Sequence, residues 1–548
     1  GTLADEQGHL SGRRPRIRSG RQALSTVTTG GADTSLTSAD GLLARKPLGL
    51  SPADSLTWTV HTLIVAILIW NHEPWRDELQ AWSIARASNT PLEIFTNTRL
   101  EGRPPGWQLL LWPFAQVFSS PQVMQLVALV IGSIAAWLWL RTVALDWRLK
   151  AVVLFGFHFT GGYLVHARDY VLSFLVLVAA VAVYSRHGVG WRLAAMLCVL
   201  SFVNAFSLAM AAAMAAATWL AEMFSWSTGR GAADASRIVR SADTIRATAR
   251  HRLDVLVSLA ITASWFAWAA YLTYPTDDNQ FSVGRYKGFG RALTNSFIPL
   301  NYEFPLLQRV DNFFAAALLV TVLLFAWMRS RVAFGFVAMS FAMLLYNLTY
   351  GYGDYWWHFG NSAFIVFVIA CFPRRIARGQ TLSQETSRGA ALSRVSAAVG
   401  LAGVVTIASL NLAATRYGAG RDVHASKPYS LTLAAAEQLR DICDDCTIIV
   451  DWDAIGAGIS AQLGGRELYY LNRREFGTFA KFSNKNSAPT WEDGLAAIAQ
   501  FERQLLIQTA FMSGPAPSDL ELIGVHYDGV HDHNLIWQSA NKRILPND

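Results

Sequence analysis

Two carboxylates, Asp77 and Glu78, stand in the run Asn71-His72-Glu73-Pro74-Trp75-Arg76-Asp77-Glu78-Leu79-Gln80-Ala81-Trp82-Ser83-Ile84-Ala85-Arg86, a few residues past the first long apolar segment. A carboxylate beside a bilayer is costly unless it is solvated, paired or functional. Placed near an acceptor hydroxyl, it can take the proton as that oxygen attacks. A second polar run follows, Glu101-Gly102-Arg103-Pro104-Pro105-Gly106-Trp107. Its prolines and glycines make a rigid bend that returns the chain toward the membrane. The simpler alternative is a Trp-rich interfacial helix with acids at its favourable N-terminal end. Trp75, Leu79 and Trp82 recur at helical spacing, and Asp77 falls between them, on a flank shared with Ala81 and Ile84. That alternative leaves the Glu101–Trp107 run unexplained.

The elements that must hold these groups are mostly membrane spans. Of 548 residues, 52% are hydrophobic and 16% charged, against about 25% charged in soluble proteins. Apolar runs at about 56–70, 121–140, 151–165, 171–185, 193–203, 205–222, 253–272, 312–328, 332–349, 360–372 and 395–413 predict a polytopic α-helical membrane protein of about 11 spans. Trp58, Trp70, Trp112, Trp219, Trp327, Trp356 and Trp357 sit at the ends of such runs, as in an interfacial aromatic belt. The run 106–118, flanked or interrupted by Pro104, Pro105 and Pro113, is read as non-spanning. Alternate loops then carry the Arg excess, from Arg13–Lys46 through Arg141–Lys150, Arg186–Arg192, 225–252 and Arg329–Arg331 to Arg374–Arg394. By the positive-inside rule these face the cytoplasm. The net charge of +7 is thus a matter of topology, and no basic face for nucleic acid is evident.

Three regions follow. Residues 1–55 read as a disordered basic cytoplasmic tail without the apolar core of a signal peptide. Residues 56–415 form the transmembrane domain, with a large first external loop at 71–120. Residues 416–548 have no membrane-length apolar run. Helical stretches at 429–440 and 491–502 alternate there with strand-like runs at 447–450, 467–471 and 505–507, which predicts a soluble extracytoplasmic α/β domain. Its Cys443-Asp444-Asp445-Cys446 is one pair too few for zinc and suits a local disulfide outside the cytoplasm. Cys198 and Cys371 read as packing residues in apolar runs.

The first loop resembles that of the GT-C superfamily of integral-membrane glycosyltransferases. The likeness lies in Trp-Arg-Asp-Glu-x-Gln-Ala-Trp-x-Ile-Ala-Arg at 75–86 and Glu-Gly-Arg-Pro-Pro-Gly-Trp at 101–107, and is closest to the branch of protein O-mannosyltransferases and aminoarabinose transferases. His166-Ala167-Arg168-Asp169-Tyr170-Val171-Leu172 is similar to the family's external Ala-Arg-x-Tyr-x-Leu turn, with Asp169 where relatives often have Pro. Trp357-His358-Phe359-Gly360 is similar to a late Arg-His-x-Gly segment, with Trp357 in place of Arg. The resemblance covers about residues 56–370. It implies an inverting enzyme of the plasma (inner) membrane that moves a sugar from a polyprenyl-phosphate donor to a glycan, lipid or protein acceptor outside the cytoplasm.

In that scheme Asp77 is the base, with Glu78 as partner or alternative. Cations must steady the phosphate leaving group, and Arg168, Arg285, Lys287, Arg291 and His358 all fall on the expected external side. The alternative for each is a lipid-headgroup contact. Glu101, Arg103 and Trp82 shape the loop or meet the acceptor; Arg103 pairs with Glu101 or with Asp77. No cofactor is required, and no metal ligand set stands out. The expected partners are the lipid-linked donor, the acceptor and membrane lipids.

Two other patterns compete for attention. Gly456-Ala457-Gly458-Ile459-Ser460-Ala461 fits a dinucleotide fingerprint, but no acidic residue stands about 20 positions on; a helix-start turn explains it better. His526, Asp528, His531, Asp532 and His533 cluster like metal ligands at no recognised spacing, and read as a polar loop. A transporter or flippase of lipid-linked sugars is the main rival function. It should show internal repeats and charged or broken helices near the midplane, and no repeat is visible. A third class is a scaffold whose external domain binds a partner.

Overall fold

The computed structural model describes residues 49–227, 242–274, 289–298, 311–351, 360–372, 398–413, 430–509, 515–526 and 534–540, with positions 278, 358 and 512. The tail 1–48 falls outside it, as do Arg285, Lys287, Trp357, Asp528, His531, Asp532 and His533; Arg291 is described in its backbone only.

Helix α1 (Pro52–Asn71) begins at Ser51, whose hydroxyl accepts the Asp54 N–H at 3.1 Å. Proline at its first position needs no N–H there. The first loop holds α2 (Arg76–Ala87), α3 (Pro91–Asn97) and α4 (Gly106–Val117). The 12-residue α4 is about 18 Å long and is not among the helices long and apolar enough to span a membrane. It is tied back to α2 by Trp112 Nε1 on Ser88 O at 2.8 Å and Gln116 Nε2 on Ala85 O at 2.9 Å. Gly106 is required by close approach: a Cβ there would lie 2.2 Å from the Phe202 carbonyl oxygen, which accepts the Gly106 N–H at 3.0 Å.

Helices α5 (Gln122–Thr142), α6 (Trp147–Leu154), α7 (Tyr170–His187), α8 (Trp191–Ser201), α9 (Ala205–Ser227), α10 (Ala242–Thr273), α11 (Phe289–Phe297), α12 (Asp311–Arg329), α13 (Arg331–Tyr346), α14 (Asn361–Val368) and α15 (Ala398–Ala413) follow. Seven helices, within α1, α5, α7, α9, α10, α12 and α13, are long and apolar enough to span a membrane among the described residues. The expected runs at 193–203, 360–372 and 395–413 are shorter helices. The run at 151–165 is not a continuous helix. Lys150, at one end of it, pairs with Asp54 at the start of α1 (3.1 Å). Arg168, just past the other end, pairs with Asp77 beyond the end of α1. Between them lie α6, a π-helical turn at His158–Gly162 and a series of turns. The irregular residues, 156–167, are buried in protein, where irregular backbone at membrane depth is tolerated. His61 of α1 meets one freed carbonyl, Phe159 O, at 2.9 Å.

The C-terminal region contains α16 (Thr432–Ile442), β1 (Thr447–Val450), α17 (Asp453–Gln462), β2 (Leu468–Tyr470), β3 (Glu475–Gly477), α18 (Trp491–Gln500), β4 (Gln504–Gln508), β5 (Leu520–His526) and β6 (Asn534–Ser539). The sheet order is β3-β2-β1-β4-β6-β5. β2, β1 and β4 run parallel, with Ile449 opposite both Tyr469 and Leu506; the outer strands are antiparallel to their neighbours. The buried runs Ile448-Ile449-Val450 and Leu505-Leu506-Ile507 fit central strands covered on both faces. Cys443 and Cys446 form a disulfide beside β1.

Candidate functional site

The first turn of α2 carries Asp77 and Glu78, and adjacency on a helix sends them about 100° apart. The consequence is a division of environments. The Asp77 side chain is 33% exposed and reaches Arg168 Nη1 at 2.9 Å. Arg76 stands 3.6 Å from its other oxygen. Glu78 is fully buried. Its Oε2 accepts the Trp75 N–H at 3.1 Å and lies 2.9 Å from His72 Nε2 and 3.8 Å from His166 Nδ1. Its Oε1 accepts the Ala167 N–H. Burial opposes the charge on Glu78, but His72 and His166 outweigh it and hold the carboxyl well below the usual range.

Arg168 lies over the Tyr170 and Trp75 rings, at 5.4 and 6.0 Å from their centroids. Burial disfavours its charge; Tyr170, Asp77, Asp169 and Glu78 outweigh that and raise its pKa. Asp169 is buried on the next element. Desolvation pushes its carboxyl up, against the pull of Arg103 and Arg168 and a hydrogen bond from Asn204. Arg103 bridges Asp169 (3.6 Å) and Glu101, to which its Nε donates at 2.9 Å. Burial works against the Arg103 charge, and the two carboxylates more than compensate. Glu101 in turn accepts from Gln80 Nε2 at 2.8 Å. The pairing of Arg103 is therefore with Glu101 and Asp169, not with Asp77.

Asp77, Glu78, Glu101, Arg103 and Arg168 thus form one connected cluster. Trp82 is fully buried and lines a different space, a cavity of about 250 Å³ shared with Arg86, Gln116, Gly464 and Thr478. His358 is buried against Phe206, 5.3 Å between ring centroids, two residues beyond Asn204. Arg285 and Lys287 lie outside the described residues, as does the Arg291 side chain. His72, Gln80, His166, Asp169 and Asn204 were not assigned roles from sequence. The signal available was their polarity at the edges of apolar runs.

The α/β domain packs directly on this loop. Gln80 exchanges two hydrogen bonds with the Ala480 backbone, 2.9 and 2.8 Å. Ser83 donates to Ala457 O, Arg86 to Gly464 O, and Glu73 accepts the Leu433 N–H. The glycines of the apparent dinucleotide fingerprint lie inside α17, not in a phosphate-facing loop. A Cβ on Gly458 would lie 3.0 Å from Thr432 and 3.4 Å from Leu79, so this glycine lets α17 approach α2. His526 bonds Gln438 at 2.7 Å.

Fold and cluster together define a multi-helix membrane-type protein with a mixed α/β domain at its C-terminus. The chain matches no model of a known protein family and no curated protein.

Proposed function

We propose that this protein is an inverting glycosyltransferase that uses a polyprenyl-phosphate sugar. The observation that carries this reading is the Asp77–Arg168 pair: a part-exposed carboxylate held 2.9 Å from a guanidinium that is only 12% exposed. Such a pair matches the two demands of the reaction. The acceptor hydroxyl oxygen bonds to the sugar's anomeric carbon as the carbon–oxygen bond to phosphate breaks. Asp77 takes the hydroxyl proton, and the bonding electrons leave with the lipid phosphate. Arg168 exchanges its contact with Asp77 for the phosphate, where a charge-assisted hydrogen bond is strong. Arg103 bridges Asp169 and Glu101 and offsets part of their charge, which lessens their repulsion of the anion. Attack from the face opposite the leaving group inverts the anomeric centre.

An apolar groove of about 440 Å³ supports a lipid-linked donor. It lies among α11, α12 and α13 and is lined by Phe289, Leu319, Leu323, Phe341, Leu345 and Tyr346. The Cys443–Cys446 disulfide suits an oxidising compartment and supports an external C-terminal domain. The broken 147–169 segment and three shorter apolar helices, added to the seven long ones, agree with eleven traverses. With the basic loops read as cytoplasmic, an odd number of crossings goes with a cytoplasmic tail 1–55 and an external C-terminal domain, and our reading adds a bacterial-type plasma membrane.

The test is transfer or hydrolysis of a panel of polyprenyl-phosphate sugars by the full chain in nanodiscs. Release of polyprenyl phosphate by the wild type, lost in Asp77→Asn, is the expected result. A wild type inert toward every donor, or an Asp77→Asn protein as active as wild type, would overturn the assignment.

A further inference from the structure

We infer that His72, Glu78 and His166 form a binding site for one divalent transition-metal ion of the zinc class. The three side chains come from separate segments: the end of α1, the first turn of α2 and the turn preceding α7. One donor atom of each lies within 4.8 Å of the others, and all three residues are buried. Donors around a tetrahedral ion at 2.0–2.1 Å sit about 3.3 Å apart. The distances from Glu78 Oε2, 2.9 Å to His72 Nε2 and 3.8 Å to His166 Nδ1, fall on either side of that value. Each of these two distances would change by about half an ångström or less to match a tetrahedral ion, and the two imidazole donors, within 4.8 Å of each other, would close toward the same spacing. The two imidazoles meet edge to face at 4.6 Å between centroids, and one ring nitrogen of each faces the same carboxylate oxygen.

The surroundings suit a ligand set. Both Glu78 oxygens accept backbone N–H groups, from Trp75 and Ala167, which fix the carboxylate as outer-sphere bonds fix metal-bound carboxylates. Each carboxylate oxygen has two lone pairs. An ion on Oε2 thus replaces the His72 contact and leaves the Trp75 bond in place. Two imidazoles and one carboxylate favour zinc-like ions over magnesium or calcium, which take oxygen donors. Three protein ligands leave one tetrahedral position for water. The alternative is a proton shared between the histidines and Glu78, which neutralises the same charge.

The ion would staple three segments at the point where Asp77 and Arg168 emerge, since Asp77 precedes one ligand and Arg168 follows another by two residues. Metal content does not depend on sugar transfer, so the two proposals fail separately. The experiment uses full-length protein in detergent, with zinc measured by elemental mass spectrometry. Chelator-treated protein is then titrated with Co²⁺ and followed by visible absorption. We expect about one equivalent of zinc, intense tetrahedral-type cobalt bands, and a melting temperature lowered by chelation and restored by zinc. His166→Ala, the ligand with the longest contact, should lose at least tenfold in Co²⁺ affinity while remaining monodisperse; His72→Ala serves as the second variant. Wild type without zinc or cobalt bands, or bands unchanged in both variants, would overturn the site in favour of the shared proton.

Discussion

Asp77 and Glu78 are chemically alike and adjacent, yet one is partly open to solvent beside a guanidinium and the other is sealed among imidazoles and backbone N–H groups. Their isosteric variants should therefore fail in different ways. Asp77→Asn keeps shape and removes basicity. Turnover should fall 10²–10⁴-fold, the range for loss of a general base, with an unchanged melting temperature in a thermal-shift assay. Glu78→Gln should lower the melting temperature by several degrees, because an amide cannot accept from two backbone donors and face two imidazoles equally well. The pH dependence has a definite sign. The Glu78 carboxyl is depressed in the folded state, so its stabilisation is fully present above the unfolded carboxyl's pKa, about 4.3, and is lost as pH falls below it. The gap in melting temperature between wild type and Glu78→Gln should be widest above pH 5 and shrink below pH 4. A gap independent of pH would mean that charge is not what Glu78 contributes.

Two elements owe their positions to single residues. The bend before α4 rests on the backbone of Phe202–Val203, where a Cβ at Gly106 would strike a carbonyl oxygen that cannot rotate away. Gly106→Ala should thus lower the melting temperature by several degrees and reduce transfer, by tilting the segment that holds Arg103. A fully stable Gly106→Ala protein would mean the bend has slack. At the end of β1, Asp451 is buried and accepts the Thr509 N–H from the end of β4 at 2.8 Å. Burial lifts its pKa from 3.8 to about 6 despite the Thr509 bonds. A raised folded pKa means the charged form is disfavoured in the fold: the cost is full above pH 6 and vanishes below about pH 4, where both states are protonated. Two units correspond to about 3 kcal/mol. Asp451→Asn should therefore raise the melting temperature of the α/β domain at pH 7.5, and the gain should disappear near pH 4, by circular dichroism of matched proteins.

For the whole molecule the prediction is topological. In the proposed topology, which the C-terminal disulfide and the docking of α17 on the first loop support, that loop and the α/β domain share the side opposite the Arg-rich loops. A reporter enzyme fused after residue 548 should be active only outside the cytoplasm. Activity inside would mean an even number of crossings, with the broken 147–169 segment the first suspect.

Composition was enough to identify the membrane class, because long apolar runs have no stable place in water. The 106–118 run reads as non-spanning from its prolines and the alternation of charged loops, and α4 is not among the seven long apolar helices. The runs 447–450 and 505–507 declared themselves as strands by continuous apolar, β-branched or aliphatic character. β3, β5 and β6 did not: β3 and β5 lie at the sheet edges, and β6, though between two strands, alternates buried with half-buried residues and so carries a weaker pattern than a continuous apolar run. The chemistry of Asp77 and Arg168 could be proposed from motif alone, but 91 residues separate them and no local rule pairs them. Only the packing of the 166–169 turn against α2 did so. The same packing separated Asp77 from Glu78, gathered His72 and His166 around the latter, and turned Gly458 from an apparent cofactor motif into a contact with Leu79. Local sequence sets which groups are present and which helix face each occupies. Which of them meet depends on helix packing, and that is decided by the fit of surfaces far apart in the chain.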